Sequence, residues 1–313
     1  MDVIANTIKP RKKIVSNLLK STKNTSVYLM IMPTLILFIL FCVYPVFYVI
    51  RVSFYEYDGM TQMKWIGLYN YRRVMHDSSW WVTVLNTLQL GIGIPIVQIP
   101  VALVLAVILN EKIKARTFFR TFFFLPNITS TAIMGIIFYF MFSSNSGIVN
   151  GILAKSGLIK APVEWLSREY LAKLVIILFS TWANAGFYMV LFLAALQKIP
   201  REIYESAAID GAGSLHSFFK ITIPMLGQMF QLITMLSILN AMKLFDTVRV
   251  ITGGGPGNRT QVITMYIFSY YFEPSGGPMQ QGYACAVAMV GLVITGIVAA
   301  VYFLSSKQMA VEQ

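Results

Sequence analysis

The sequence predicts an all-α polytopic membrane protein with six transmembrane helices. Of its 313 residues, 57% are hydrophobic and only 12% are charged, and the mean hydropathy is +0.67. A soluble domain carries about 25% charged residues, so this chain has too little polar surface to cover a soluble fold of its size. The composition therefore excludes a soluble enzyme, a nucleic-acid-binding domain and a disordered chain.

Six stretches are apolar and long enough to cross a bilayer core, which takes roughly 20 residues. They cover Val27–Ile50, Trp80–Asn110, Thr117–Phe142, Leu171–Gln197, Ile221–Lys243 and Tyr283–Ser305. An even number of spans places both termini on one side of the membrane.

Basic residues indicate which side that is. Lys and Arg are concentrated in the N-terminal tail and in the short connection between the second and third spans, and such residues prefer cytoplasmic loops. We therefore expect both termini in the cytoplasm of a multi-pass protein of the bacterial cytoplasmic (inner) membrane. Residues 1–26 form a basic tail, 27–305 the transmembrane domain and 306–313 a C-terminal tail. The net charge of +12 is then explained by the membrane surface rather than by nucleic acid.

Catalytic and metal-binding patterns are missing from the sequence. Cys42 and Cys285 lie in apolar stretches without CxxC spacing, and His76 and His216 lie on opposite predicted sides. There is no GxxxxGK[ST] phosphate-binding loop. We expect no catalytic residue, no metal site and no cofactor on this chain. The carboxylates of the first outer loop are expected to be solvated: Glu56, Asp58 and Asp77.

The connection between the fourth and fifth spans, residues 198–222, predicts two short helices around a glycine corner. Gly211 and Gly213 permit a left-handed backbone and a sharp turn, and Ser214 is the expected N-cap of the second helix. One face of the loop carries two small side chains, Ala207 and Ala208. A rigid loop with a small face predicts a docking element.

This loop resembles the EAA loop of ABC importer permeases, and most closely that of the sugar-importer branch. The matching strings are Glu205–Ala212 and Phe219–Pro224, with Ser206 where the motif has its first alanine. Three further motifs occur in the same order along nearly the whole chain: Gly67–Tyr71, Phe119–Pro126 and Thr252–Pro256. The resemblance implies a type I ABC importer permease fold.

The resemblance also implies partners. They are a second permease subunit, two copies of a cytoplasmic ATPase that binds ATP and Mg²⁺, and an extracytoplasmic solute-binding protein. Glu205 would contact the ATPase, while Asp210 would fix the corner at Gly211 through hydrogen bonds to backbone amides. The coupling residues implied are Glu205, Ala207, Ala208, Asp210, Gly211 and Gly213.

Polar side chains within three spans predict a substrate site, because such groups are expensive in a bilayer without a partner. Pro126 is expected to kink the third span at mid-depth, and Ser180 and Asn184 share a helix face. Together with the resemblance, these patterns give the candidate sugar contacts Asn127, Thr131, Ser180, Asn184, Phe187, Asn240, Ala241 and Leu244. The alternative is that these polar groups join helices to one another.

Three charges follow the fifth span: Lys243, Asp246 and Arg249. They are either an ion-pair ladder that forms an outer gate or interface charges that snorkel to water. A sharper hypothesis is that Lys243 or Arg249 favours an anionic sugar.

Other functions remain as alternatives. A permease for a polyamine or peptide would share the same fold, whereas an integral-membrane transferase would need clustered carboxylates or histidines at a membrane face. A secondary transporter usually shows inverted repeats and midplane coupling charges, which this sequence lacks. We therefore expect an ATP-driven sugar or oligosaccharide importer subunit.

Overall fold

A computed structural model describes residues 25–111, 113–145, 147–273 and 279–311 of the chain. The helices are α1 (Thr25–Phe38), α2 (Tyr44–Val52), α3 (Tyr69–His76), α4 (Ser78–Asn110), α5 (Arg116–Ile128), α6 (Thr131–Met141), α7 (Ile148–Lys155), α8 (Glu169–Leu196), α9 (Arg201–Ile209), α10 (Ser214–Ser217), α11 (Ile223–Met225), α12 (Gly227–Met242), α13 (Asp246–Ile251), α14 (Ile263–Phe272) and α15 (Gln281–Val311). The prediction of a helical membrane protein is confirmed.

Within the described residues, four helical segments are long and apolar enough to cross a membrane: Tyr28–Val52, Ser78–Asn110, Glu169–Leu196 and Gln281–Ser306. The predicted third and fifth spans are each bent, by 95° between α5 and α6 and by 71° between Ser214–Met225 and α12. The count is therefore four, or six if each bent pair is one span. The sharp break in the third span lies at Thr129–Ser130, a few residues beyond Pro126, because Thr129 adopts an extended conformation with ψ 148°.

The chain divides into two units, residues 1–52 and 53–313. In the first unit, a π-helical turn at Ile39–Val43 joins α1 to α2. This turn lies directly before Pro45, which has no amide proton for the carbonyl four residues earlier. The local widening keeps the segment helical through the proline.

The second unit begins with a small antiparallel hairpin, β1 (Tyr55–Glu56) paired with β2 (Lys64–Trp65). The Asp58 carboxylate accepts hydrogen bonds from the amides of Thr61 and Met60, and these bonds lower the pKa of Asp58 to about 2. This turn lies in the connection between β1 and β2.

Helices α4 and α8 run parallel through the centre of the second unit. Gln89 contacts Lys173 near the start of both helices, and Gln98 contacts Ser180 half-way along them. Both helices therefore start at the hairpin end of the unit and finish beside α9. The core at the α9 end packs large apolar side chains of α8, including Phe192, against α4 and α12.

The bent spans run in the opposite direction. The aromatic ring of Phe142, just after α6, lies 5.5 Å from Trp165, which precedes α8, and α12 brings Ser237 to Gln98. Helix α15 returns from the hairpin end and places Ser306 beside Gln231 near the start of α12. This arrangement brings α4, α6, α8 and α12 around one central space.

Asp77 fixes the hairpin ends of α4, α14 and α15 to one another. Its Oδ1 accepts hydrogen bonds from the amides of Ser79 (3.0 Å) and Trp80 (3.4 Å), and its Oδ2 accepts them from the hydroxyls of Tyr266 (2.5 Å) and Tyr283 (2.6 Å). Burial alone would raise the pKa of Asp77, but these bonds outweigh it and hold the pKa below its ordinary value. Asp77 is therefore a helix cap and tyrosine acceptor, and the expectation of a merely solvated charge was wrong.

Replacing Asp77 with alanine should destabilise the protein by about 1–3 kcal/mol, because a helix cap and two hydrogen bonds to a charged acceptor are lost. A lowered pKa gives stability that is present above the ordinary carboxyl pKa and is lost as pH falls through the lowered value. We therefore expect the melting-temperature difference between wild type and variant to stay constant from about pH 5 to 8 and to narrow only below about pH 4.

Thermal melting of the detergent-purified protein measures this difference. Glu56→Ala is the control, since Glu56 has only an exposed 4.0 Å contact with Lys64, and it should change the melting temperature little. Equal melting curves for the Asp77 and Glu56 variants would contradict the structural role of Asp77.

Candidate functional site

A polar cavity of about 220 Å³ lies half-way along α4 and α8, beside the break between α5 and α6 and the C-terminal end of α12. Its described lining is Ile94, Gln98, Pro126, Asn127, Thr131, Phe179, Ser180, Ala183, Asn184, Ser237, Asn240, Ala241, Lys243, Leu244, Phe245, Asp246 and Thr247. Amide and hydroxyl groups dominate its polar surface, which suits a ligand rich in hydroxyl groups.

Two interruptions in the helices border the cavity. The first is the break between α5 and α6, which Asn127 and Thr131 flank, and the second is the non-helical link between α12 and α13, which carries Lys243 and Leu244. Irregular backbone at membrane depth is tolerated where it lines a cavity, and broken helices of this kind commonly form solute sites in transporters. The breaks therefore supply both space and polar groups.

Hydrogen bonds hold the cavity wall in place. Asn127 Nδ2 donates to Asn184 Oδ1 at 3.2 Å, and Asn184 Nδ2 donates to the Ser180 carbonyl at 3.0 Å. On the opposite wall, Asn240 Nδ2 donates to the Tyr188 hydroxyl at 3.0 Å. These amides therefore join helices to one another, as the alternative expected, and they also line the cavity.

Ser180 has an unused hydroxyl. The residue is 3% exposed, and its Oγ has no hydrogen-bond partner among the described residues. A buried hydroxyl without a partner costs roughly 1–3 kcal/mol. Ser180 lies in the wall of the cavity, so a hydroxyl-rich ligand that reached its Oγ would remove this cost.

The structure brings most of the predicted contacts together. Asn127, Thr131, Ser180, Asn184, Asn240, Ala241 and Leu244 all line the cavity. Phe187 does not, because it packs against the apolar core at the α9 end, with its ring 5.2 Å from that of Tyr188. Phe187 therefore lies about one helical turn beyond Asn184 and outside the described lining of the cavity.

The three charges after α12 separate into two groups. Lys243 and Asp246 line the cavity, and neither side chain has an ion-pair or hydrogen-bond partner within the described part of the chain. Arg249 lies away from the cavity and forms a 2.7 Å ion pair with Glu273. Helix α12 ends at Met242, so the three residues do not form a continuous ladder along one helix.

Among the lining residues that the sequence did not point to are Gln98 and Ser237, which bond to each other. Ser237 Oγ donates to Gln98 Oε1 at 2.6 Å, and Gln98 Nε2 donates to the Ser180 carbonyl at 2.9 Å. The available signal was a glutamine between Pro95 and Pro100 in an otherwise apolar span, since a polar group at that depth indicates a functional site.

The loop at the α9 end has the predicted shape. Helix α9 ends at Ile209, Gly211 adopts φ +83°, and a second helix starts at Ser214. The Tyr204 hydroxyl lies 2.9 Å from Thr222 Oγ1 and ties the two arms together. A groove of about 410 Å³ opens between the arms. It is lined by Ala207, Asp210, Gly211, Ala212, Gly213, His216, Lys220 and Ile221.

Details of this loop differ from the expectation. Gly213, with φ −74°, is the N-cap of α10 and needs no left-handed backbone, and it takes the capping position expected for Ser214. The Asp210 carboxylate makes no hydrogen bond to a described residue, so the corner is closed by backbone bonds, such as the one from the Ala212 amide to the Ala207 carbonyl (2.9 Å). Glu205 and Ala208 are exposed and Ala207 is half-buried.

Two of the other motifs have structural explanations. Asn70 of the Gly67–Tyr71 string is buried, and its Nδ2 donates to the carbonyls of Ser53 and Tyr55 at 3.0 Å each. The loop after Thr252 is held against α4, because Asn86 Nδ2 donates to the carbonyls of Asn258 and Gln261. Both motifs stabilise loops at the hairpin end.

Comparison with known proteins matches residues 98–310 to the family described as binding-protein-dependent transport system inner membrane component. The lactose transport system permease protein LacF of Rhizobium radiobacter is 34% identical over 295 residues, which cover 93% of this chain and 97% of LacF. The arabinooligosaccharides transport system permease protein AraP of Bacillus subtilis is 31% identical over 281 residues, which cover 88% of this chain and 87% of AraP.

The fold is also similar to that of a solved structure, a bacterial ABC transporter involved in the import of the acidic polysaccharide alginate. The TM-score is 0.80 at 22% identity, over 93% of this chain and 99% of the other. The resemblance drawn from the motifs is thereby confirmed: the chain belongs to the binding-protein-dependent transport system inner membrane component family, and it is a permease subunit of an ABC importer.

Proposed function

We propose that this permease carries a neutral oligosaccharide across the membrane through the central cavity. The observation that carries the proposal is a cavity half-way along α4 and α8 with an unpartnered buried hydroxyl, on Ser180, among amide side chains. Sugars present many hydroxyl groups that amides and hydroxyls can bind. Relatives named for lactose and arabinooligosaccharide transport support this class of solute.

The charges in the cavity favour a neutral solute. Lys243 and Asp246 are the charged residues of the described lining, and their formal charges cancel. Arg249 is already neutralised by Glu273. A neutral sugar can donate hydroxyl protons to Asp246 and accept from Lys243, whereas an acidic sugar would meet Asp246 as a like charge.

The chain would form one half of the translocation pathway through the membrane. A second permease subunit would complete the cavity, two copies of an ATPase holding ATP and Mg²⁺ would bind at the loop around Glu205 and Gly211, and a solute-binding protein would deliver the sugar. Cytoplasmic termini would place that loop on the ATPase side. No cofactor is proposed for this chain itself.

Uptake measurements test the proposal. Cells with and without this gene are given radiolabelled lactose, maltotriose and arabinotriose, and in parallel trimers of galacturonate and of mannuronate. We expect gene-dependent uptake of at least one neutral sugar. Gene-dependent uptake of the acidic trimers alone would overturn the neutral class and favour the anionic hypothesis, and uptake of neither set would overturn oligosaccharide transport.

Matched charge variants sharpen this test. Asp246→Asn leaves Lys243 uncompensated and should raise the uptake of acidic relative to neutral sugar by roughly tenfold, about 1.4 kcal/mol. Lys243→Gln should lower the same ratio, and the double variant should restore it. If Lys243→Gln abolishes uptake of an acidic sugar that the wild type carries, the anionic hypothesis is correct instead.

A further inference from the structure

We propose that Gln98 is a specificity-determining residue of the transport site and donates an amide hydrogen bond to the solute. The inference rests on the proposed function. Gln98 lies half-way along α4, is 2% exposed and lines the central cavity. It belongs to a helix that supplied none of the contacts expected from the sequence.

Two hydrogen bonds fix the orientation of the Gln98 amide. Nε2 donates to the Ser180 carbonyl and Oε1 accepts from the Ser237 hydroxyl. The reversed orientation would place Oε1 against the Ser180 carbonyl, which is also an acceptor, so it is excluded. A carboxamide nitrogen carries two protons, and one of them is therefore left for another partner.

That remaining proton belongs to an amide 2.9 Å from the backbone oxygen of Ser180, the residue whose hydroxyl is unpartnered. The wall of the cavity thus contains an N–H donor on Gln98 and a hydroxyl on Ser180 that no described residue uses. Neighbouring hydroxyl groups on a sugar ring can satisfy both groups at once. Since the two protein groups sit on α4 and α8, they would read the configuration of the sugar hydroxyls that they contact.

The alternative is that Gln98 only joins α4, α8 and α12 together. A solute contact and a purely structural role predict different effects of a Gln98 variant on the ratio of the maximal uptake rates of two sugars. Lactose and cellobiose differ in the configuration of one hydroxyl group. The solute-binding protein is the same in every variant, so its own preference between the two sugars cannot change their uptake ratio from one variant to another. A structural defect lowers both maximal uptake rates alike, whereas a lost solute contact changes their ratio.

The experiment compares the lactose-to-cellobiose ratio of maximal uptake rates in cells carrying Gln98→Leu, with Gln231→Leu as the matched control. Gln231 also lies in a span and bridges helices, through the Ser306 carbonyl, but it does not line the cavity. We expect Gln98→Leu to change the ratio at least fivefold and Gln231→Leu to leave it within twofold. A ratio within twofold for Gln98→Leu would overturn the inference.

A second variant covers the case in which Gln98→Leu fails to fold. Ser237→Ala keeps Gln98 but removes the hydroxyl that orients its amide, and we expect a smaller change of the ratio in the same direction. An unchanged ratio in Ser237→Ala would then overturn the inference. Absence of gene-dependent uptake of any neutral oligosaccharide in wild-type cells would instead overturn the proposed function, before any variant is compared.

Discussion

Replacing Gly211 with valine is expected to lower oligosaccharide uptake at least tenfold while the protein remains in the membrane. Gly211 closes α9 with φ +83°, a conformation that costs an L-residue roughly 1–2 kcal/mol and a β-branched residue more. Apart from the two adjoining residues, no described atom lies within 4 Å of a Cβ built there, so the strain resides in the backbone itself. The loop can relieve it only by changing the turn between its two helices. Under the proposed function, this also changes the surface that binds the ATPase.

Two matched variants isolate this effect. Gly213 also has open space around it but has φ −74°, so Gly213→Ala should transport like the wild type. Asparagine tolerates the left-handed region, so Gly211→Asn should fall between the two. Uptake at saturating sugar and the amount of protein in the membrane are measured together. Equal uptake for Gly211→Val and Gly213→Ala would mean that the glycine corner has no part in coupling to the ATPase.

The spans and the loop between α8 and α10 could be predicted from the sequence because their signals are local. Hydropathy over about 20 residues locates a span, and a glycine after a helix predicts its end. The position of the break near Pro126 was harder to predict from the sequence. A proline predicts a kink at itself, but the chain turns by 95° where Thr129 becomes extended, which depends on how α6 packs across the unit.

The cavity depended on contacts between distant parts of the chain. The polar residues of single spans were visible, but Gln98 matters only because α4 runs beside Ser180 and Ser237. Likewise, Asp77 accepts hydrogen bonds from Tyr266 and Tyr283, which lie 189 and 206 residues further along the chain. Arg249 forms its ion pair with Glu273, which directly follows α14. The sequence positions of these partners contain no periodic signal that would link them.

Replacing Gly186 with alanine adds a single methyl group and is expected to lower the stability of the protein strongly. A Cβ at Gly186 would overlap the Phe123 carbonyl oxygen and lie 2.6 Å from its carbon and 2.8 Å from Phe124 Cα. These are backbone atoms of α5, so no change of side-chain rotamer can make room. Overpacking of this kind costs typically 1–3 kcal/mol and sometimes more, out of a total stability of about 5–15 kcal/mol for a typical domain.

The same displacement would damage the transport site. Helix α5 also carries Asn127, which reaches Asn184 of α8 at 3.2 Å, so moving α5 away from Gly186 separates two walls of the cavity. Gly296→Ala is the control. Gly296 is also helical, but beyond its chain neighbours and its own helix backbone no described atom lies within 4 Å of its Cβ position, and alanine is favoured over glycine in a helix by about 1 kcal/mol. We expect Gly186→Ala to melt at a lower temperature and to lose uptake, while Gly296→Ala melts at or above the wild-type temperature. If both variants melt and transport alike, α5 and α8 are further apart than described, and the cavity between them must be built differently.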